Sequence, residues 1–114
     1  AIDQKTIGVD HPDYAIDLNN LSNVLQAQGQ YAAAEEYCRQ AMAIDEKTIG
    51  VDHPDYATHV NNLAGVLQAQ GQYEAAEEHF RHAIQVAEAA LGDTHPNTKT
   101  FRKNLEIHLA KSTP

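Results

Sequence analysis

Seven histidines give this 114-residue chain side chains that can bind a metal ion or transfer a proton near neutral pH. His79 and His82 stand three positions apart on a predicted helix, a spacing that can place two ligands on one metal ion. Glu78 lies beside them, but the segment offers no third strong ligand. We therefore interpret His79 and His82 as part of a solvated helix face and predict no metal site.

Three other histidines recur at a fixed interval. His11, His53 and His95 each precede a proline, 42 residues apart. One histidine in each repeated segment spreads the three along an edge of the molecule, so they do not converge on one ion. We predict that each is a loop residue that packs against, or hydrogen-bonds to, the neighbouring turn.

The remaining groups with catalytic potential lack a catalytic arrangement. Glutamate pairs at 35–36 and 77–78 fall near the starts of predicted helices, where the helix dipole favours negative charge. Acid–base catalysis needs a carboxylate in a pocket with a shifted pKa, and the sequence has no glycine-rich phosphate loop, nucleophile elbow or zinc-protease motif. Cys38 occupies a position that is Phe80 one repeat later, which indicates a packing site. We predict no enzymatic activity and no cofactor.

Composition places the chain among small globular proteins. Hydrophobic residues make up 42% and charged residues 21%, and no apolar run is long enough to cross a bilayer. The sequence starts without a basic-then-apolar targeting segment, and a single cysteine favours a reducing compartment, so we expect a cytoplasmic protein without a membrane partner. The net charge of −8 disfavours binding to nucleic acid.

An internal repeat of 42 residues organises the sequence. Residues 1–42 are identical to residues 43–84 at 31 of 42 positions, and a decayed third copy begins at Gln85. Each copy holds two stretches in which apolar residues recur every three or four positions, as on one face of a helix. In the first copy these residues are Leu18, Leu21 and Leu25, followed by Tyr31, Ala34, Cys38 and Ala41.

Start and stop signals frame these helices. Gly29 and Gly50 end them, because glycine adopts the left-handed conformation of a helix C-terminus at low cost. A proline follows two residues after each predicted N-cap, where its missing N–H is harmless; these caps are Asp10, Asp52 and Thr94. The pattern predicts helix pairs at about 12–49 and 54–91 and a last helix near 96–111, with no strand.

This arrangement resembles the tetratricopeptide repeat (TPR), a helix-turn-helix unit of about 34 residues. The 42-residue length, the sequence Gly-x-Asp-His-Pro-Asp and the Asn-Asn-Leu that follows it are similar to the kinesin-light-chain type of this repeat. The resemblance implies an all-α fold, a right-handed TPR-like α-solenoid. It also implies a scaffold for protein–protein or protein–peptide interaction.

We expect one repeat domain over residues 1–114. Its parts are a partial helix of a truncated repeat at 1–8, repeats at 9–50 and 51–92, and a C-terminal capping helix with its tail at 93–114. Ile2 and Ile7 would lack part of their packing support at the 1–8 end. Head-to-tail self-association through that end is therefore a further expectation, since contacts of this kind need not close.

By the same resemblance, the first helix of each pair lines a concave groove. The predicted partner-binding residues are Asn19, Asn20, Asn23, Gln26, Thr58, Asn61, Asn62, Gln68, Lys103 and Asn104. Asn20, Asn62 and Asn104 recur every 42 residues and would form a ladder of carboxamides, which can both donate to and accept from a peptide backbone. We predict a protein or peptide partner that is extended or basic. The alternative is a structural spacer or self-assembly module with no dedicated ligand, which the near-identity of the repeats favours.

Overall fold

The computed structural model describes residues 11–112, which form five α-helices and no strand. They are α1 (Pro12–Ala27), α2 (Tyr31–Lys47), α3 (Pro54–Ala69), α4 (Tyr73–Leu91) and α5 (Pro96–Ser112). Each helix packs against the next along the chain, and α1 also touches α3. The predicted all-α solenoid is confirmed. The partial helix predicted at 1–8 lies outside the described residues.

A histidine caps the start of α1, α3 and α5. The Nδ1 atoms of His11, His53 and His95 each accept a hydrogen bond from the backbone N–H two residues later, at 3.1, 3.0 and 3.1 Å. The imidazole thus satisfies a free N–H of the first turn, as a serine or aspartate cap would. The prediction of Asp52 and Thr94 as N-caps is wrong by one position; the third predicted cap, Asp10, lies outside the described residues.

The first helix of each pair ends in a Schellman motif. Gly29 has a φ of 77°, and Gly71 one of 82°. The N–H of Gln30 donates to the carbonyl of Leu25 at 2.9 Å, and that of Gly29 donates to Gln26 at 3.0 Å. The same two bonds recur 42 residues later. The glycine therefore closes the helix and turns the chain into the next one, as the sequence predicts.

Small side chains let the helices approach closely within the repeats. Ala34 and Ala76 are fully buried at equivalent positions of α2 and α4. Cys38 is also fully buried, and its Sγ lies 2.9 Å from the hydroxyl of Ser22, which in turn donates to the Ala34 carbonyl at 2.8 Å. Burial raises the pKa of the Cys38 thiol. Cys38 is thus a packing residue, as predicted.

The predicted apolar face of α1 is only partly covered. Leu21 and Val24 are 41% and 52% exposed, whereas their counterparts Leu63 and Val66 are fully buried in α3. The difference arises because α2 packs on α3, while no described residue occupies the equivalent place beside α1. Leu21, which the sequence places on the apolar face of the helix, is therefore exposed in the part of the chain that the structure describes.

The face of α5 that corresponds to a packing face of α3 is polar. It carries Lys99, Arg102 and Glu106 where α3 has the buried residues Ala57, Val60 and Ala64. The Arg102 guanidinium binds Glu88 and Asp93 at the surface. These are the changes that a capping helix needs, because they turn a packing face into one that meets water.

Candidate functional site

A cleft of about 550 Å³ crosses the first helices α1, α3 and α5. Six of the predicted partner-binding residues line it: Asn23, Gln26, Asn61, Asn62, Gln68 and Asn104. The second helices contribute Tyr31 and Phe80. We call this surface the amide cleft. The structure therefore brings most of the predicted carboxamides together, on helices whose starts and ends are fixed by the caps described above.

Apolar groups and glycine make up the rest of the amide cleft. Ala27 and Ala69 lie at the ends of α1 and α3, and Ile107 is a half-exposed residue of α5. No charged side chain is among the lining residues. The cleft thus offers hydrogen-bond donors and acceptors beside apolar surface, a combination that suits an uncharged segment of chain.

Four predicted site residues lie outside this lining. Asn20 and Lys103 are exposed, and the half-buried Thr58 donates its hydroxyl proton to the carbonyl of Pro54 at 3.3 Å. Asn19 is buried and is occupied within the protein, as its hydrogen bond to the next repeat shows. Of these four, Asn19 alone has a hydrogen bond with one of the six lining residues, namely Asn62.

Carboxamides also join neighbouring repeats, with a spacing of 43 residues and not 42. The Nδ2 group of Asn62 donates to Oδ1 of Asn19 at 2.6 Å. In the next repeat, Nδ2 of Asn104 donates to Oδ1 of Asn61 at 3.5 Å. The ladder predicted through Asn20 is therefore replaced by pairs that link the second asparagine of one repeat to the first asparagine of the preceding one.

A buried histidine holds one wall of the amide cleft. His108 is fully buried, with Nε2 2.9 Å from the carbonyl oxygen of Tyr73 and Nδ1 3.1 Å from the Gln68 carboxamide. A carbonyl only accepts, so Nε2 carries a proton, and Gln68 is fixed by the other ring nitrogen. Sequence reasoning missed this contact. The 42-residue period could have indicated it, because His108 stands at the position that the buried Val66 occupies one repeat earlier.

A second buried polar contact lies between α2 and α3, away from the cleft. Asp45 Oδ2 and His59 Nε2 are 2.8 Å apart, and both side chains are almost fully buried. Burial raises the pKa of Asp45 to about 6 and lowers the pKa of His59 to about 4. Each group therefore favours its uncharged form. The sequence analysis singled out neither residue, because aspartate and histidine are common on exposed helix faces.

The two histidines considered as metal ligands have other contacts. His79 Nδ1 lies 2.7 Å from the carbonyl oxygen of Ala75, to which it donates, and the ring of His82 packs edge-on against Tyr56. Within residues 11–112, no three histidine, cysteine, aspartate or glutamate side chains come together in a way that could hold a metal ion. In the same range, no helix is both long and apolar enough to cross a membrane.

Known proteins share this architecture. The family model for the tetratricopeptide repeat matches residues 18–55 and 57–97. This chain belongs to the tetratricopeptide repeat family. Two crystal structures of nearly identical TPR-like repeats of a Podosopora anserina putative kinesin light chain, one of them of a variant, are similar to it. The identities are 26% and 28%, and the TM-scores 0.75 and 0.72.

The matches cover 93% of this TPR chain and 50% of each solved chain, so the chain spans half the length of those structures. They confirm the resemblance to kinesin-light-chain repeats. Comparison with curated proteins gives no match. Folds of this family generally mediate protein–protein interactions and are typically scaffolds without enzymatic activity.

Proposed function

We propose that this TPR protein binds an extended segment of a partner protein in the amide cleft. The observation that carries the proposal is the gathering of six carboxamides from three helices around one cleft without a charged lining residue. An extended peptide presents alternating N–H and C=O groups, which carboxamides can satisfy because each both donates and accepts. The cleft surface also retains apolar area for a side chain of the partner.

Two of these carboxamides are available to a ligand. Asn23 and Gln26 line the cleft, and neither makes a side-chain hydrogen bond within the described part of the chain. The other four, Asn61, Asn62, Asn104 and Gln68, each have one contact inside the protein. The net charge of −8 would add a general attraction for a basic partner, but through groups outside the cleft lining.

A peptide-binding assay tests the proposal. Peptides selected on the wild-type protein are measured against the double variant Asn23→Ala/Gln26→Ala and against Asn20→Ala, which lies on the same helix outside the cleft. Loss of two hydrogen bonds should weaken binding about tenfold or more, while Asn20→Ala leaves the affinity unchanged. Equal affinities for all three proteins, with unchanged thermal melting, would contradict binding in the cleft.

Self-assembly is a second candidate, favoured by the open face of α1. Leu21 and Val24 are exposed there, although the equivalent residues of α3 are core. A spacer or assembly module would use this face to add a further repeat unit, and its mass should rise with concentration in sedimentation experiments. Leu21→Lys should abolish that rise while leaving peptide binding unchanged. A constant monomer mass at all concentrations would exclude this alternative.

A further inference from the structure

One register position of the amide cleft differs between α1 and α3, while the other cleft-lining positions of these two helices carry identical residues. Asn23, Gly65 and Ile107 occupy the same position of α1, α3 and α5, and all three line the cleft. One turn further on, Gln26 and Gln68 are identical. The three helices therefore present a polar side chain, a gap and an apolar side chain in order along the cleft.

Neither the backbone conformation nor the packing of the protein requires a glycine at position 65. A glycine in a helix interior is less stable than alanine by about 1 kcal/mol, and Gly65 has ordinary helical backbone, unlike the positive-φ glycines that end the helices. A Cβ at this position would meet only Oε1 of Gln26, at 3.4 Å, which is the movable end of a flexible side chain. A Cβ, and therefore an alanine, is not excluded here by a close helix crossing.

We infer that Gly65 is the specificity-determining position of the cleft, a notch that receives a large apolar side chain of an extended peptide. This inference rests on the proposed function. The gap lies beside the carboxamide of Gln26, and Tyr31, Phe80 and Ile107 supply apolar surface to the same cleft. A charged side chain would find no counter-charge in the lining and would lose hydration. The carboxamides hold the backbone of the peptide, and the notch selects one side chain.

An array of nine-residue peptides tests the inference directly. Each peptide has a frame of Ser, Asn and Gln and one varied position that carries Ala, Leu, Phe, Lys or Glu. Affinities are measured for the wild type, for Gly65→Ala and Gly65→Leu, which fill the notch stepwise, and for Gln40→Ala on the exposed surface of α2. Gln40→Ala controls for a change to alanine outside the cleft.

The wild type and Gln40→Ala should prefer Leu or Phe over Ala, Lys and Glu. Gly65→Ala should reduce that preference and also melt at a higher temperature, because alanine favours the helix. Gly65→Leu should weaken binding of the Leu and Phe peptides by about tenfold or more, since the added side chain occupies their site. Its affinity for the Ala peptide should stay within about threefold of the wild-type value.

Three results would overturn the inference. If both Gly65 variants kept the wild-type preference for Leu or Phe, the side chain of the peptide would not bind in the gap. A lower melting temperature for Gly65→Ala would mean that the position is needed for packing. A wild-type preference for Lys or Glu would contradict the apolar side chain. If the wild type binds no peptide of the array or of the earlier selection, the proposed function itself fails, and the inference with it.

Discussion

The α2–α3 and α4–α5 interfaces are equivalent in the repeat, but at one position the first buries two polar side chains and the second two apolar ones. Asp45 and His59 meet in the first interface, and the equivalent residues in the second are Ala87 and Phe101, which belong to one apolar cluster. All four side chains are buried. The comparison teaches that this position accepts a close polar pair as well as an apolar one, because a buried polar group is costly chiefly when its partner is absent.

The largest expected effect comes from breaking the polar pair. Asp45→Ala or His59→Phe alone should lower the free energy of unfolding by about 2–3 kcal/mol, because each leaves a buried polar group without its partner. The double variant reproduces the second interface and should return to within about 1 kcal/mol of the wild type. Urea unfolding of the wild type, the two single variants and the double variant gives the free energies of this double-mutant cycle. Additive losses in the double variant would show that the two side chains do not act as a pair.

The pH dependence of stability should separate the two members of the pair. The pKa of Asp45 is raised from 3.8 to about 6, so its contribution is present below pH 3.8 and lost as the pH rises through 6. The pKa of His59 is lowered from 6.5 to about 4, so its contribution is present above pH 6.5 and lost as the pH falls through 4. In the wild type the two groups therefore change the stability in opposite directions between pH 4 and 6.

Each single variant should therefore show the pH dependence of stability that comes from the one remaining group. On acidification from pH 6.5 to 4, His59→Phe should gain stability, because Asp45 takes up its proton in the folded state. Asp45→Ala should lose stability over the same range, because the unfolded chain protonates His59 first. Other titratable groups near the pair, namely His53, Asp55, Glu46 and the Tyr56 hydroxyl, are present in all the variants. The measurement is urea unfolding at pH 4, 5 and 6.5, and parallel curves for the two variants would contradict the assignment.

Overpacking should affect both repeats to a similar extent. Ala34→Leu and Ala76→Leu each place a larger side chain at a fully buried position and should cost about 1–3 kcal/mol. Ala32→Leu, on the exposed surface of α2, should cost less than about 0.5 kcal/mol. Thermal melts of the three variants suffice. A loss at Ala32 equal to the other two would show that the destabilisation comes from the leucine itself and not from burial.

The smallest expected difference concerns the asparagine pairs of the two interfaces. Asn62→Ala removes a 2.6 Å hydrogen bond and should cost about 1 kcal/mol, whereas Asn104→Ala removes one of 3.5 Å and should cost less than about 0.5 kcal/mol. Asn20→Ala, at an exposed position, serves as the control for both. If Asn104→Ala were the more destabilising change, the bond length would be a poor guide to the strength of these links.

The repeat, the helices and their glycine ends could be predicted from the sequence because they depend on local residue order. The pairing of asparagines could not. Asn19 and Asn20 are both repeated at 61 and 62, so a period of 42 does not distinguish a partner 42 residues away from one 43 away. The stagger between neighbouring helices decides it, and stagger depends on packing. The contact between Asp45 and His59 was hidden for the same reason, since the helix pattern gives no measure of which polar residue meets which across an interface.

The adjacent residues Asn61 and Asn62 carry a mechanical consequence. One is bonded forward to α5 and the other backward to α1, so along this edge α3 joins two hydrogen bonds in series. A pulling force between α1 and α5 passes through both, and the 3.5 Å link resists it less than the 2.6 Å link. The contact between His108 and Gln68 also joins α5 to α3, at 3.1 Å, so the weak asparagine link shares its tension with a second hydrogen bond, and α3 and α5 separate only when both have opened.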